Sequence, residues 1–403
     1  MKILLLRQYN PYVENGASAN RFRGLIDGLC LEGNDVTLAI VGGLLSNNEA
    51  TIFISPQKQL RVEYLTCSNH HNYLMKRLNN YLLDNSVHLL AIRRRFRKLL
   101  KQKYDIIWLT NNSTVFSLYG KERSRITGRT FIELNEFNDI YKNVGVNKKV
   151  LQRFKSDKDN RLFLDTIGGI DLFGVMTKTL ISHYQSLAKP DAKFLHLPMT
   201  VDLSRFNNIT DTDAFVKPYI GYTGVLSNQK DGVDVLIKAF ARVADKYPSL
   251  QLCLAGFYSY DVPVQEKLIA DFGLQERIHY IGTLKRDQIP PFICNASVLV
   301  LSRPDSHQAQ GGFPTKLGEY LATGNPVCVT KVGEIPDYLE DNVSAFMAEP
   351  GDVDSFANAL DRALCDEANA KRVGANGRKV AEENFDAEKQ AKRLLQFLKD
   401  NLK

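Results

Sequence analysis

The chain has 403 residues, of which 44% are hydrophobic and 24% are charged, a composition typical of a soluble globular protein with two or three ordinary domains. No apolar run is long enough to span a bilayer, and Arg7 interrupts the N-terminal run MKILLLRQYN, which is better interpreted as a first strand than as a signal peptide. The net charge of +7 is uneven: residues 1–200 carry +12 and residues 201–403 carry −5, so we expect the first half to meet an anionic surface or ligand.

The cysteines and histidines indicate neither a disulfide framework nor a metal site. The six cysteines are scattered without a C-x-x-C pair, which favours reduced, buried thiols in a cytoplasmic protein. The seven histidines lack metal-ligand spacing, so we expect no structural zinc.

Strand-like and helix-like runs alternate along the chain, a pattern that predicts α/β domains with parallel sheets. In the first half, strands are predicted at Lys2–Leu6, Asp35–Val41, Arg61–Leu65, Asp105–Leu109, Thr130–Leu134, Asp171–Met176 and Lys193–Leu197. A first helix is predicted from about Ala19 to Leu31, because apolar residues recur there at helical spacing.

The second half shows the same alternation. Strands are predicted at Tyr219–Tyr222, Leu250–Ala255, Ile278–Ile281, Ser297–Leu301, Pro326–Thr330 and Ala345–Ala348. A helix from about Val233 to Lys246 carries one apolar stripe. The pattern predicts two doubly wound domains, residues 1–200 and 201–385, followed by a helix over 386–403 that must pack on a surface still uncovered.

The segment from Lys76 to Lys103 is strongly basic and amphipathic. Its second part, residues 89–103, interleaves arginines and lysines with leucines, Ile92 and Phe96. Such a helix is typical of an element that binds an anionic membrane surface, although basic runs are often only solvated. We expect no nucleic acid as a partner, because no platform of stacking aromatic residues accompanies the charge.

Lys230 follows the first predicted strand of the second domain. A lysine in a loop at the carboxyl edge of a parallel sheet can pair with phosphate groups. A solvated loop lysine remains the alternative.

The stretch Gly311–Gly324, GGFPTKLGEYLATG, predicts an anion site at the start of a helix. Pro314 suits the first turn of a helix, and Gly324 suits its left-handed C-terminal cap. The free N–H groups and the positive dipole end attract a phosphate, and Glu319 lies about a turn and a half along. The preceding predicted strand places this loop at a carboxyl strand end, where ligands bind in α/β sheets. The alternative is an ordinary capped helix.

These pieces occur in an order that resembles the retaining glycosyltransferases of family 4, which have the GT-B fold. The resemblance covers most of the chain and is most specific from Gly311 to Thr330. It is carried by the following residues: Gly16, the segment Leu31–Val36, Val201-Asp202 with Phe206, Gly224 and Leu226, Lys230, Ala255-Gly256, Ile281-Gly282, Ser302, the block Gly311–Thr330, Gly333–Pro336 and Asp341-Asn342.

The resemblance implies a fold of two Rossmann-like domains facing each other across a cleft. It also implies that the second domain binds a nucleotide sugar and that the C-terminal helix crosses back onto the first, acceptor-binding domain. The donor nucleotide would be contacted by Gly16, Gly224, Lys230, Gly311, Gly312, Phe313, Pro314, Thr315, Lys316 and Glu319. In that family, Glu319 would bind the ribose, Lys230 would offset the growing diphosphate charge, and the N–H groups of Thr315 and Lys316 would add oriented dipoles. Neither a metal nor a separate cofactor is then required.

The chain also departs from the family pattern. The first Glu of the Glu-x7-Glu motif falls at Gly311, and the arginine that often partners Lys230 falls at Val225. The histidine positions of the first domain hold asparagines, in the segments 109–112 and 134–136. Asn135 or Glu136 would face the reacting sugar, with a capping role as the alternative.

We therefore predict a retaining, metal-independent glycosyltransferase whose catalytic residues are Lys230, Glu319, Asn135 and Glu136. Its acceptor would be a glycan or a lipid-linked glycan at the inner membrane face. Two alternatives stay open: a nucleotide-sugar epimerase on the same fold, and a non-catalytic relative that binds a glycan or a membrane.

Overall fold

The structure is a computed structural model that describes residues 1–14, 16–42, 55–66, 87–137, 150–207, 209, 215 and 218–402. The chain divides into two compact units, one formed by Met1–Pro198 with Ala387–Lys403 and the other by Met199–Asp386. Residues 76–86 of the basic segment and Cys67 lie outside the described residues.

Each unit contains one parallel sheet. The first has seven strands in the order β3-β2-β1-β4-β5-β6-β7: β1 (Lys2–Arg7), β2 (Asp35–Ile40), β3 (Leu60–Tyr64), β4 (Ile106–Leu109), β5 (Arg129–Leu134), β6 (Leu172–Val175) and β7 (Lys193–His196). The second has six strands in the order β10-β9-β8-β11-β12-β13: β8 (Tyr219–Val225), β9 (Gln251–Phe257), β10 (Ile278–Gly282), β11 (Val298–Leu301), β12 (Val327–Thr330) and β13 (Phe346–Ala348).

Helices connect most of these strands. Along the described chain they are α1 (Ala17–Leu31), α2 (Val87–Leu100), α3 (Ser113–Glu122), α4 (Val150–Ile167), α5 (Lys178–Gln185), α6 (Asn228–Asp231), α7 (Val233–Val243), α8 (Val262–Asp271), α9 (Ile289–Cys294), α10 (His307–Gly311), α11 (Thr315–Thr323), α12 (Ile335–Tyr338), α13 (Val353–Cys365), α14 (Glu367–Asn384) and α15 (Ala387–Asp400). None of the described helices is both long and apolar enough to cross a membrane.

The fold class predicted from the sequence is confirmed. Every predicted strand is present, with ends that differ by at most three residues. The strands could be predicted because central parallel strands are covered on both faces and are therefore almost continuously apolar, as in β1 and β4. The predicted apolar stripe of α7 is buried as well.

Three local predictions are wrong in detail. Pro314 precedes α11 as its N-terminal cap residue instead of lying in its first turn, while Gly311 ends the separate short helix α10. Lys230 lies in the four-residue helix α6 and not in a loop. Helix α7 ends at Val243, before Lys246. The predicted end at Gly324 is confirmed, since that residue adopts a left-handed conformation with φ of 79°.

The C-terminal helix α15 belongs to the first unit, where it packs along α1. Close approach requires glycine on α1: a Cβ on Gly28 would lie 2.4 Å from the Cβ of Ala391. Leu394 and Leu398 then join the core that holds Trp108. The apolar side of α15 is thereby buried within the first unit.

Candidate functional site

The second sheet brings the predicted phosphate residues together at its topological switch point. The strand order reverses between β8 and β11. From β8 the chain passes to β9 and β10 on one side, and from β11 it passes to β12 and β13 on the other. Ligands of open α/β sheets bind beyond the carboxyl ends of such a pair. Here β8 ends at Val225 and leads into α6, while β11 ends at Leu301 and leads towards α11. The hydroxyl of Ser302 lies 2.8 Å from the carbonyl oxygen of Gly232, which ties the segment after α6 to the end of β11.

A buried ion pair joins α6 to α11. The Nζ of Lys316 lies 2.7 Å from Oδ2 of Asp231, whose side chain is 3% exposed. The Tyr222 hydroxyl donates to the same carboxylate oxygen at 2.8 Å. Burial opposes ionisation of Asp231, but the Lys316 ammonium outweighs it and holds the pKa of this carboxyl below its usual value.

Burial also lowers the pKa of Lys316, and Asp231 offsets this only in part. The positive charges of Lys230 and Arg303 lower the pKa of Lys316 further. Two further cations, Lys230 and Arg303, therefore lie within electrostatic reach of Lys316, and Asp231 is shared by Lys316 and Arg303.

The Lys316 ammonium lies directly against the end of β8. Gly224 has a φ of +148°, and a Cβ at this position would lie 2.1 Å from Nζ of Lys316. Only glycine therefore leaves room for the ammonium at this point of the strand.

Lys230 and Arg303 differ in their surroundings. Lys230 is exposed, and within the described residues its side chain makes no hydrogen bond or ion pair. Arg303 is only 6% exposed, and its Nε has no hydrogen-bond partner in the described part of the chain. One terminal nitrogen of Arg303 makes a long hydrogen bond of 3.4 Å to the carbonyl oxygen of Gln308. Neither Arg303 nor Asp231 was predicted from the sequence as a site residue.

Glu319 lies one turn after Lys316 on α11 and is held by an arginine. Nη1 of Arg205 donates to Oε1 of Glu319 at 2.6 Å, and Nη2 of Arg205 donates to the carbonyl oxygen of Arg286 at 3.1 Å. Within the described chain this is the one side-chain hydrogen bond of Glu319, which is 21% exposed. Arg205 lies in the segment from Val201 to Phe206, which carries part of the family resemblance, and it orients Glu319, the predicted ribose contact.

The remaining motif residues serve mainly to shape the loop before α11. Gly311, Phe313 and Pro314 are buried, while Gly312 and Thr315 are half-buried. The Phe313 ring packs against Tyr338 and Phe385, with centroid distances of 5.5 and 5.2 Å. Its side chain is therefore used in packing, which leaves its backbone for a ligand.

In the first unit, the predicted residues follow the carboxyl ends of β1 and β5. Gly16 immediately precedes α1, is exposed and has a φ of +127°. Asn135 follows β5, and its Oδ1 is buried with no hydrogen-bond partner among the described residues. The backbone carbonyl of Glu136 accepts a hydrogen bond of 2.7 Å from the Tyr184 hydroxyl. An unsatisfied buried amide oxygen is costly unless a ligand or water meets it, so Asn135 stays a candidate contact.

The basic helix α2 divides into two sets of cations. Glu122 of α3 is fully buried and receives Arg93, Arg97 and Arg125, with the Arg97 contact at 2.8 Å. Burial opposes ionisation of Glu122, but the hydrogen bonds from Arg97 and Arg93 outweigh it and keep its pKa below the usual value. Arg93 and Arg97 therefore anchor α2 to α3, while Arg125 comes from the turn after α3.

The second set of cations on α2 and just after it faces solvent. Arg94, Lys98 and Lys101 are exposed and line an open groove together with Thr127. Leu90, which is 61% exposed, lies at the same groove.

Comparison with known proteins agrees with this arrangement. Residues 217–366 match the family model described as glycosyl transferases group 1. A GDP-mannose-dependent alpha-(1-6)-phosphatidylinositol monomannoside mannosyltransferase of Mycolicibacterium smegmatis is 22% identical over 89% of this chain and 92% of its own length. Several other curated relatives match over less than two thirds of their length.

Solved structures resemble the whole chain in fold. A sucrose-phosphate synthase from Thermosynechococcus elongatus has a TM-score of 0.71 at 17% identity, covering 99% of this chain and 98% of its own. The Anabaena protein HepE, solved in complex with UDP, has a TM-score of 0.68 at 15% identity, covering 99% and 100%. The chain is therefore a glycosyltransferase with the GT-B fold, and its second unit carries the group 1 domain of these enzymes.

Proposed function

We propose that this glycosyltransferase moves a sugar from a nucleoside-diphosphate sugar to a glycan or lipid-linked acceptor, with retention and without a metal, as family 4 enzymes do. The observation that carries the proposal is the group of cations at the carboxyl ends of β8 and β11, beside the N-terminus of α11. Such fixed charges and N–H dipoles stabilise a leaving diphosphate without reorganisation. In this proposal they stabilise the leaving diphosphate in place of a metal ion.

A nucleotide donor also agrees with the relatives. The mycobacterial mannosyltransferase is GDP-mannose-dependent, and HepE was solved with UDP. We therefore expect the second unit to bind a nucleoside diphosphate with either a uracil or a guanine base. The first unit would bind the acceptor, and Asn135 or Glu136 would face the reacting sugar.

Glu319→Gln is expected to weaken nucleotide binding by about 10- to 100-fold. A hydrogen bond to a charged group contributes about 1.5–3 kcal/mol, and each 1.4 kcal/mol is about tenfold in affinity. Titration calorimetry with UDP and GDP measures the change. The 2′,3′-dideoxy nucleotides serve as the control, because they lack the hydroxyls that Glu319 would accept from. An equal loss for ribose and dideoxyribose ligands would contradict the assignment.

Transfer itself is tested with UDP- and GDP-sugars and a lipid-linked acceptor fraction. Release of the free nucleoside diphosphate together with a new glycosidic bond of the donor's anomeric configuration, seen by NMR, supports a retaining transferase. An epimerised nucleotide sugar without nucleotide release would favour the epimerase. Activity that disappears with a chelator would contradict the metal-independent mechanism.

We further propose that the first unit meets an anionic membrane surface at the cytoplasmic side through Arg94, Lys98 and Lys101. Each basic residue near such a surface contributes about 1 kcal/mol, so replacing all three by glutamine is expected to weaken vesicle binding by about 100-fold. Co-sedimentation with vesicles containing phosphatidylglycerol measures this, and binding should fall with added salt.

The matched control removes the same number of cations from α14, where Lys371, Arg372 and Lys379 are exposed. Vesicle binding by this control should stay at the wild-type level. Equal losses in both triple variants would mean that net charge, and not the α2 surface, governs the association.

A further inference from the structure

We propose that the side chains of Lys316 and Arg303 bind the diphosphate of the donor and replace the arginine that this chain lacks at Val225. The inference rests on the proposed function and assigns two further ligands to the same site. Family resemblance pointed to Lys230 and to backbone N–H groups only. The side chains of Lys316 and Arg303 enter from the geometry of this structure.

The position of Lys316 supports its role. Its ammonium lies against Gly224 at the carboxyl end of β8, where a Cβ would be 2.1 Å away. The lysine side chain is 17% exposed, so it is neither sealed in the core nor free in solvent. Since Lys316 lies in the first turn of α11, its ammonium adds to the positive end of that helix.

Arg303 supplies an independent observation. The residue is more than nine-tenths buried, its Nε has no hydrogen-bond partner among the residues that the structure describes, and its charge acts on both Lys316 and Asp231. A buried guanidinium with an unused donor is costly unless an acceptor completes it. The fork of donors on arginine is well suited to phosphate oxygens.

The charges in this region are unbalanced without a ligand. Lys230 and Arg303 each act as a positive charge on Lys316, and Asp231 is the carboxylate that Lys316 and Arg303 share. A purely structural ion pair would consist of Lys316 and Asp231 alone. The two further cations leave a surplus of positive charge, and a diphosphate carries a negative charge on each phosphate.

The test measures affinity by calorimetry for a nucleoside, its monophosphate and its diphosphate, in the uridine and guanosine series. Arg303→Met and the double variant Lys316→Met/Asp231→Asn are expected to bind the diphosphate about 10- to 100-fold more weakly, since charged hydrogen bonds are worth about 1.5–3 kcal/mol. Affinity for the nucleoside should not change. The double variant is used because Lys316→Met alone would leave Asp231 buried and unpaired.

Two controls separate charge from structure. Asp231→Asn alone keeps the Lys316 charge, so diphosphate affinity should be equal to or higher than that of the wild type. Lys246→Met removes an exposed cation that pairs with Asp361 at the surface, and it should leave all affinities unchanged.

Wild-type affinity in the double variant and in Arg303→Met would overturn the inference, and so would an equal loss in Asp231→Asn. A wild-type protein that binds no uridine or guanosine nucleotide would instead overturn the proposed function. Thermal melting of each variant verifies that it is folded before binding is compared.

Discussion

Replacing Lys230 by alanine is expected to lower kcat for sugar transfer by about 100- to 1000-fold, the loss typical when one preorganised charge-stabilising group is removed. Lys230 is exposed on α6, and no ion pair or hydrogen bond of its side chain within the described residues supports the fold. The stability of the variant should therefore stay near that of the wild type. Initial rates of nucleoside diphosphate release measure kcat.

Lys238→Ala is the matched control for Lys230. Lys238 lies on the next helix, α7, and pairs with Asp234 at 2.9 Å on the surface. Surface pairs of this kind contribute only about 0–1 kcal/mol, so neither rate nor stability should change appreciably. A Lys230→Ala enzyme with wild-type kcat would remove Lys230 from the mechanism.

Arg21→Met is expected to destabilise the first unit by about 3–5 kcal/mol, because it leaves a buried carboxylate without its partner. Arg21 and Glu133 form an ion pair between α1 and β5 in which both side chains are at most 1% exposed. Arg21 also donates to the carbonyl oxygens of Leu197, at 2.9 Å, and Pro198. One guanidinium thus joins a helix, a strand and the segment that leaves β7.

The measurement uses the only tryptophan of the chain, Trp108, which is fully buried in the core of the first unit. Its fluorescence during urea unfolding reports on that unit alone. The double variant Arg21→Met/Glu133→Met removes the orphaned charge and should recover part of the lost stability. If the double variant is as unstable as Arg21→Met, the loss of stability in Arg21→Met does not arise from leaving Glu133 unpaired.

The residues predicted to bind the sugar donor could be identified from the sequence because local sequence patterns mark them. Lys230 and the Gly311–Gly324 motif each lie in the connection after a predicted strand, and the carboxyl ends of neighbouring parallel strands meet at one edge of a sheet. Arg303 follows a strand in the same way, but a lone arginine in a loop carries no motif. The unpaired Nε of Arg303 and its effect on Lys316 become apparent only when the fold is known.

The hydrogen bonds and ion pairs between distant side chains could not be predicted from the sequence. Glu319 and Arg205 are 114 positions apart, and Lys316 and Asp231 are 85 positions apart. No periodicity links such residues, since hydrogen bonds between distant segments depend on how strands and helices are packed. The same reason explains why Arg93 and Arg97 appeared equivalent to Arg94 and Lys98 until Glu122 was located beneath them.

The sequence by itself determined the α/β class, the place of every predicted strand and the end of α11 at its glycine cap, Gly324. These features follow from short-range patterns of apolar residues, glycine and proline, whose conformational preferences act within a few residues. The tertiary structure alone decided which charges are anchored and which are available. Burial sets that distinction, because a charge removed from water must find a partner in the fold or in a ligand, and burial belongs to the packed chain as a whole.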